Sequence, residues 1–353
     1  MCEALCKFYA GRRVFVTGHT GFKGSWLSLY LQRLGATVVG FALPPPTDPS
    51  LFAICQLAKN MTSVTGNILD LEHLQHVLDG YRPEIVFHLA AQSIVRRSYG
   101  IPLDTFATNV MGTVNVLEAV RNTSSVRVLI IVTSDKCYEN TESFWGYRES
   151  DPLGGYDPYS GSKACAELVT QTYARCFFHD SSKAVSSVRA GNVIGGGDWA
   201  EDRLIPDCIR FLMARQPIVI RNPDAIRPWL HVLDVLTGYL LLAQKMYEAP
   251  VRYQGAWNFG PNDDAILTVS DVVAEVTAAW GEGSVCVRSD PTLPETRLLK
   301  LDSSKARVLL GWRPRWNGRK AIAKAIDWYK AYALGKAMDE VSQRQIEEYL
   351  TIS

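Results

Sequence analysis

An apolar run, Val14-Phe15-Val16, leads directly into Thr17-Gly18-His19-Thr20-Gly21-Phe22-Lys23-Gly24, and nothing else in the chain restricts its fold as strongly. The glycines recur as G-x-x-G-x-x-G between a β-type segment and a helical one. Gly18 suits a tight turn, Gly21 allows close backbone approach by a bound group, and Gly24 lets a helix lie against the strand. The helix that follows offers N–H groups and the positive end of its dipole, an arrangement suited to the phosphates of a dinucleotide. His19, Phe22 and Lys23 are candidates for contact with the same ligand. A strand–turn–helix unit of this kind opens a parallel α/β sheet.

The first half of the chain continues the alternation. Strand-like runs at 13–17, 37–43, 61–65, 84–89, 127–133 and 184–189 are separated by helical patterns at 24–34, 71–78, 103–121 and 159–176. Val128-Leu129-Ile130-Ile131-Val132 is apolar throughout, as in a parallel strand covered on both faces. The series predicts an α/β fold, a Rossmann-type doubly wound parallel sheet with ligand at the carboxyl ends of its strands. From Gly191 the alternation weakens, and helical patterns return at 202–214, 233–247, 269–280 and 320–332. A smaller mixed α/β C-terminal substrate domain is expected. Residues 1–190, with 229–254 returning to them, form the cofactor part; 191–228 and 255–353 form the substrate part.

Charge and cysteine usage exclude several classes. Lys plus Arg number 37 against 36 Asp plus Glu, so no basic excess invites nucleic acid or an anionic membrane surface. The best apolar run, 236–243, is too short to span a bilayer. The first 13 residues carry Glu3, Lys7, Arg12 and Arg13 and lack the pattern of a secretory signal. Eight scattered cysteines without C-x-x-C predict a reducing, cytoplasmic setting and no metal site.

The chemistry concentrates in two places. Tyr159 and Lys163 are spaced Y-x-x-x-K at the start of a helical segment, after Asp157-Pro158. Residues i and i+4 share a helix face, so ammonium and phenol lie together. The Lys163 ammonium and a bound nicotinamide cation both favour phenolate and together can pull the Tyr159 pKa from its ordinary value of about 10 toward operating pH. Ser134 ends the fifth strand, where its hydroxyl can hold a reacting oxygen or simply cap the strand. Asp135 and Lys136 follow at once. They read either as a surface ion pair of little energetic weight or as an acid and a base beside the oxidation site. The carboxyl end of a central strand favours the second reading.

On the cofactor side, the second strand ends Val38-Val39-Gly40-Phe41-Ala42-Leu43, without the acidic residue that normally holds the adenosine ribose. Ribose recognition must come from elsewhere, and this position does not fix NAD against NADP. No arginine follows, which leans away from a 2′-phosphate. Asn67 and Ile68 follow the third strand; Asn67 is either a partner for the adenine edge or a turn residue. Leu89-Ala90-Ala91 supply small side chains where backbone must lie along a dinucleotide, and His88 reads as a core histidine. On the substrate side, Arg227 and Arg297 can clamp phosphates through bidentate guanidinium contacts.

These motifs together resemble the extended short-chain dehydrogenase/reductase family over nearly the whole chain. Ser134-Asp135-Lys136 is similar to the hydroxyl–Asp–acid/base triplet of its nucleotide-sugar 4,6-dehydratases, most of which carry Thr-Asp-Glu there. Lysine in third place, with the glycine-loop sequence and Leu43-Pro44-Pro45-Pro46, resembles the branch that acts on CDP-linked glucose, whose product feeds bacterial O-antigen dideoxysugars. The resemblance implies bound NAD, with Tyr159, Lys163 and Ser134 at C4 oxidation, Lys136 as the C5 base and Asp135 as the acid for the C6 hydroxyl. It places Asn192 at the substrate, with Gln92, Ser93, Arg97 and Arg203 as further contacts. It also implies a homodimer or higher homo-oligomer built on the helical segments 103–121 and 159–176. A 4-epimerase, or a dehydratase for another nucleotide hexose, shares most of these features.

Overall fold

The computed structural model describes residues 2–179, 182–262, 266–288 and 298–352. Among them are twelve strands: β1 Arg13–Thr17, β2 Thr37–Ala42, β3 Thr62–Thr65, β4 Ile85–His88, β5 Val128–Val132, β6 Ala184–Ala190, β7 Asn192–Ile194, β8 Ile218–Ile220, β9 Ile226–His231, β10 Gly255–Phe259, β11 Ile266–Thr268 and β12 Val285–Val287. Seven of them form one sheet in the order β10-β6-β5-β4-β1-β2-β3, with every pairing parallel. The order reverses direction between β1 and β4, which opens a crevice above their carboxyl ends.

Strand periodicity divides the core. Val14 and Val16 of β1 face a cluster with Trp26, Tyr30, Leu236 and Leu240, while Phe15 faces the opposite one with Phe41, Leu74, Leu117 and Leu129. Alternate side chains of one strand thus feed two separate layers, and all five residues of β5 are buried. Helices Phe22–Arg33 and Val232–Glu248 pack on the first face, and Leu71–Tyr81 and Gly112–Asn122 on the second.

Three expectations need correction. The helical pattern at 103–121 is broken into Pro102–Phe106, a π-helical turn Ala107–Met111 and Gly112–Asn122. The wider turn carries buried Asn109 inward, where it accepts from the Gln92 N–H (2.9 Å) and donates to Ser162 (2.8 Å). The return to the main sheet does not stop at 254: Gly255–Phe259 is its edge strand β10, paired with β6. The boundary at 228 falls inside β9, which pairs with both β7 and β11. The sequence reading also missed the terminal helices Cys2–Tyr9 and Met338–Thr351. They are tied to the Val232–Glu248 helix by Tyr9 Oη to Leu240 O (2.9 Å) and Tyr349 Oη to Asp234 Oδ1 (2.6 Å).

Candidate active site

A cleft of about 1090 Å³ lies at the carboxyl ends of the central strands. The glycine loop forms one wall. Gly18 has φ +73° and donates its N–H to Phe41 O (2.9 Å). A Cβ there would sit 2.6 Å from Ala90 N, and one at Gly24 only 2.1 Å from Gly18 O. Gly21 is different: a Cβ would meet only Gly18 O, at 3.5 Å, so the space beyond it is open. The helix Phe22–Arg33 has no side-chain cap, which leaves its first-turn N–H groups for a ligand. A pyrophosphate fits this wall, and Phe22, Lys23 and Gly24 line it.

His19 does not face the cleft. Its ring is buried against Gly40, where a Cβ would come within 2.3 Å, and shares a 2.7 Å hydrogen bond with Ser63 Oγ. Burial holds its pKa down at about 4, so it braces the loop as a neutral ring. Lys23 is also pushed down, to about 8, first by burial and then by Arg203 and Lys163, while Asp135 and Asp198 oppose the shift. Leu89, Ala90, Ala91, Asn67 and Ile68 line the cleft. Asn67 Oδ1 is taken up by the Leu69 N–H (3.0 Å), the turn role, and Ile68 is buried beneath Gly112. His88 is a core residue, bonded to Thr17 (2.7 Å) and Thr113 (3.3 Å).

The five chemical candidates meet in the cleft. Ser134 caps a 3₁₀ turn, Asp135–Cys137, accepting from Lys136 N (3.2 Å) and donating to Asp135 Oδ1 (3.0 Å). Asp135 is buried, and that burial raises its carboxyl pKa despite the opposing charges of Lys136, Lys23 and Arg227. Lys136 is half-buried, and its ammonium forms no ion pair among the described residues. Tyr159 and Lys163 lie on the helix Pro158–Phe177, capped by Asp157. In the protein alone, depth of burial dominates the Tyr159 phenol. Burial raises it to about 12, against a lowering by the Ser134 hydroxyl. Lys163 is itself depressed to about 8 by burial, and its Nζ donates to Val132 O (3.2 Å).

Asn192, Arg203, Arg227, Arg97, Gln92 and Ser93 line the opposite wall. Arg203 is paired with Asp198 (2.7 Å) and donates to Ser93 Oγ (3.2 Å). Gln92 is occupied locally: Oε1 accepts from Ile94 N (2.7 Å), and Nε2 donates to Ile94 O and Thr105 (both 3.1 Å). Its side chain shapes a turn at the edge of the cleft. Arg227 Nη1 donates to Ile226 O (3.0 Å). Arg297 lies outside the described residues. No cluster of potential metal ligands occurs among the described residues, and none of their helices is long and apolar enough to cross a membrane.

Residues 15–325 match the family described as GDP-mannose 4,6 dehydratase. The chain belongs to this family. It is 49% identical to a CDP-glucose 4,6-dehydratase of Salmonella typhimurium, over 98% of both chains. Among solved structures it is similar to a Bacillus anthracis dTDP-glucose 4,6-dehydratase in complex with NAD (TM-score 0.78, 22% identity, 92% of this chain and 99% of that one). It is equally similar to a Thermus thermophilus UDP-glucose 4-epimerase in complex with NAD (TM-score 0.79, 23% identity, 90% and 99%). Dehydratase and epimerase share this fold, so the distinction rests on side chains.

In this member of the dehydratase family, sequence reasoning missed two supports of the site. Gly191 borders the acid: a Cβ would stand 3.1 Å from Asp135 Oδ2 and 2.7 Å from Pro228 Cγ. Behind the Ser134 turn lies a fully buried ion pair, Arg189 Nη2 to Glu167 Oε2 at 2.7 Å. Glu167 also accepts from Thr133 (2.5 Å) and Ser187 (2.7 Å), and Arg189 donates to Tyr138 Oη (2.7 Å). Burial penalises the Arg189 charge, but Glu167 outweighs it and raises the pKa. The signal was available: Arg189 lies inside the buried run Ala184–Ala190, where a charge needs a partner, and Glu167 follows Lys163 by one helical turn.

Proposed function

We propose that this protein removes water from CDP-D-glucose to give CDP-4-dehydro-6-deoxy-D-glucose, as a hydro-lyase with NAD as its bound cofactor. The observation that carries the reading is the buried Asp135 beside Lys136, on one turn in the same cleft as Ser134, Tyr159 and Lys163. A 4-epimerase needs only the last three. The 49% identical relative, matched over its whole length, supports CDP-glucose as the substrate.

When bound, NAD would be held along the glycine loop and beside Tyr159 and Lys163, and it would supply reversible hydride exchange between C4 and C6, so that no external oxidant is consumed. The residues manage protons around those transfers. Tyr159 takes the proton of the C4 hydroxyl, with Ser134 holding O4. Its raised pKa disfavours the phenolate required, and an added positive charge beside it opposes that penalty. The C4 ketone acidifies C5–H; Lys136 takes that proton and returns it to C5 as the hydride reaches C6. Asp135 is favoured as the neutral acid by burial, and protonates the departing C6 hydroxyl. Arg227 and Asn192, with Arg97, Arg203 and Ser93, are assigned to the nucleotide sugar, and Arg297 is proposed with them. Segments 191–231 and 260–353 are assigned to the substrate part.

We further assign dimerisation to the helical segments 103–121 and 159–176, where Leu103, Met111 and Leu168 are apolar and exposed. A cytoplasmic setting is supported by the buried free thiols Cys55, Cys137 and Cys208. The test is an end-point assay with NAD⁺ and CDP-glucose, dTDP-glucose, GDP-mannose or UDP-glucose, read by the alkali-induced absorbance of a 4-keto-6-deoxy sugar and product mass. Loss of one water from CDP-glucose alone is expected. Turnover of another nucleotide instead refutes the substrate, and C4 inversion at unchanged mass refutes the dehydration.

A further inference from the structure

The end of β2 is where a dinucleotide site of this architecture selects its adenosine ribose. A carboxylate there binds the 2′- and 3′-hydroxyls and repels a 2′-phosphate. In this chain the strand end is held against the glycine loop by two bonds, Gly18 N–H to Phe41 O and Thr20 Oγ1 to Leu43 O, each 2.9 Å. The strand ends at buried Ala42, and the next residue, Leu43, lines the cleft and is 57% exposed, so we take Leu43 as the side chain nearest the selecting position.

The surrounding rim is neutral. Pro44, Pro46, Thr47, Ser50 and Asn67 line it, and none carries charge. Pro44-Pro45-Pro46 removes three consecutive backbone donors. Ser50 Oγ is occupied as the acceptor of Ala53 N (3.3 Å). Asp48, the carboxylate of this loop, is exposed and does not line the cleft, and the Asp70 carboxylate caps the helix Leu71–Tyr81.

We propose that Leu43 makes this cofactor site nearly blind to the 2′-position, so that it binds 2′-phosphorylated and unphosphorylated nicotinamide dinucleotides with similar affinity. The inference rests on the dinucleotide reading of the cleft. Among the described residues that line this rim, no carboxylate repels the phosphate and no arginine attracts it. At so exposed a rim, the phosphate keeps its water and incurs little desolvation. Affinity then comes from the shared pyrophosphate wall at Gly21 and the helix N-terminus.

Calorimetric titration of the full-length protein with NADH and with NADPH tests this, alongside Leu43→Asp and Leu43→Arg. Both substitutions lie on an exposed side chain, so the fold tolerates them. The wild-type dissociation constants should agree within about thirtyfold. Leu43→Asp should widen the ratio at least about tenfold in favour of NADH, and Leu43→Arg should move it toward NADPH. A wild-type preference for NADH beyond about thirtyfold overturns the proposal, as does a Leu43→Asp ratio equal to wild type. Binding of NADH without NADPH leaves the cofactor reading standing and refutes only this inference. Binding of neither refutes both.

Discussion

Replacing Arg189 by methionine isolates the energetic role of the buried pair behind the active-site turn. Both partners have 0% side-chain exposure, and the guanidinium reaches Glu167 and Tyr138 at 2.7 Å each. Methionine keeps much of the volume and removes the charge. Glu167 retains its two hydroxyl donors, Thr133 and Ser187, but loses its cation in a site closed to water. Stranding one member of such a pair costs about 3–5 kcal/mol. At roughly 2–4 °C per kcal/mol for chains of a few hundred residues, the melting temperature should fall by about 6 °C or more. The double variant Arg189→Met/Glu167→Gln removes the stranded charge and should recover about half of the loss, since neutral hydrogen-bonded groups tolerate burial better. Urea unfolding of wild type, single and double variants supplies the comparison. A double variant no more stable than the single one would refute this account.

Other perturbations separate chemistry from support. Lys136→Met should abolish water loss and change the shape of the pH–rate profile; a profile identical to wild type apart from scale removes Lys136 as the base. Gly191→Ala forces a methyl against Asp135 and Pro228 and should lower kcat by about tenfold to a hundredfold with the fold retained, judged by circular dichroism. Asp234 is pushed up to about 6 by burial, so wild-type stability should fall as pH rises from about 4 to about 6. The difference between wild type and Asp234→Asn across that range, on the order of 3 kcal/mol at most, isolates it; no change in the difference contradicts the assignment.

The sheet was legible because its signals are local. An all-apolar β5, the glycine turn and Y-x-x-x-K each carry their own periodicity or spacing. The π-helical turn at Ala107–Met111 was not legible, because it exists to bring Asn109 to Gln92 and Ser162, contacts distant in sequence. Edge strand β10 was missed because Gly255–Phe259 is short and sits among loops, and its pairing with β6 is a tertiary fact. His19 belonged to the right motif, but its ring turned to fill the space left by Gly40. For the Tyr159 phenol, spacing reveals the neighbouring lysine and not the depth of burial.

The central claim is that a hydride leaves C4 and returns to C6 of the same sugar while Asp135 and Lys136 remove water. CDP-glucose carrying deuterium at C4 tests it directly, with the product read by mass and NMR. The account predicts loss of one water and deuterium in the new C6 methyl group. Deuterium retained at an inverted C4 with water still present would contradict the account, as would its loss to solvent.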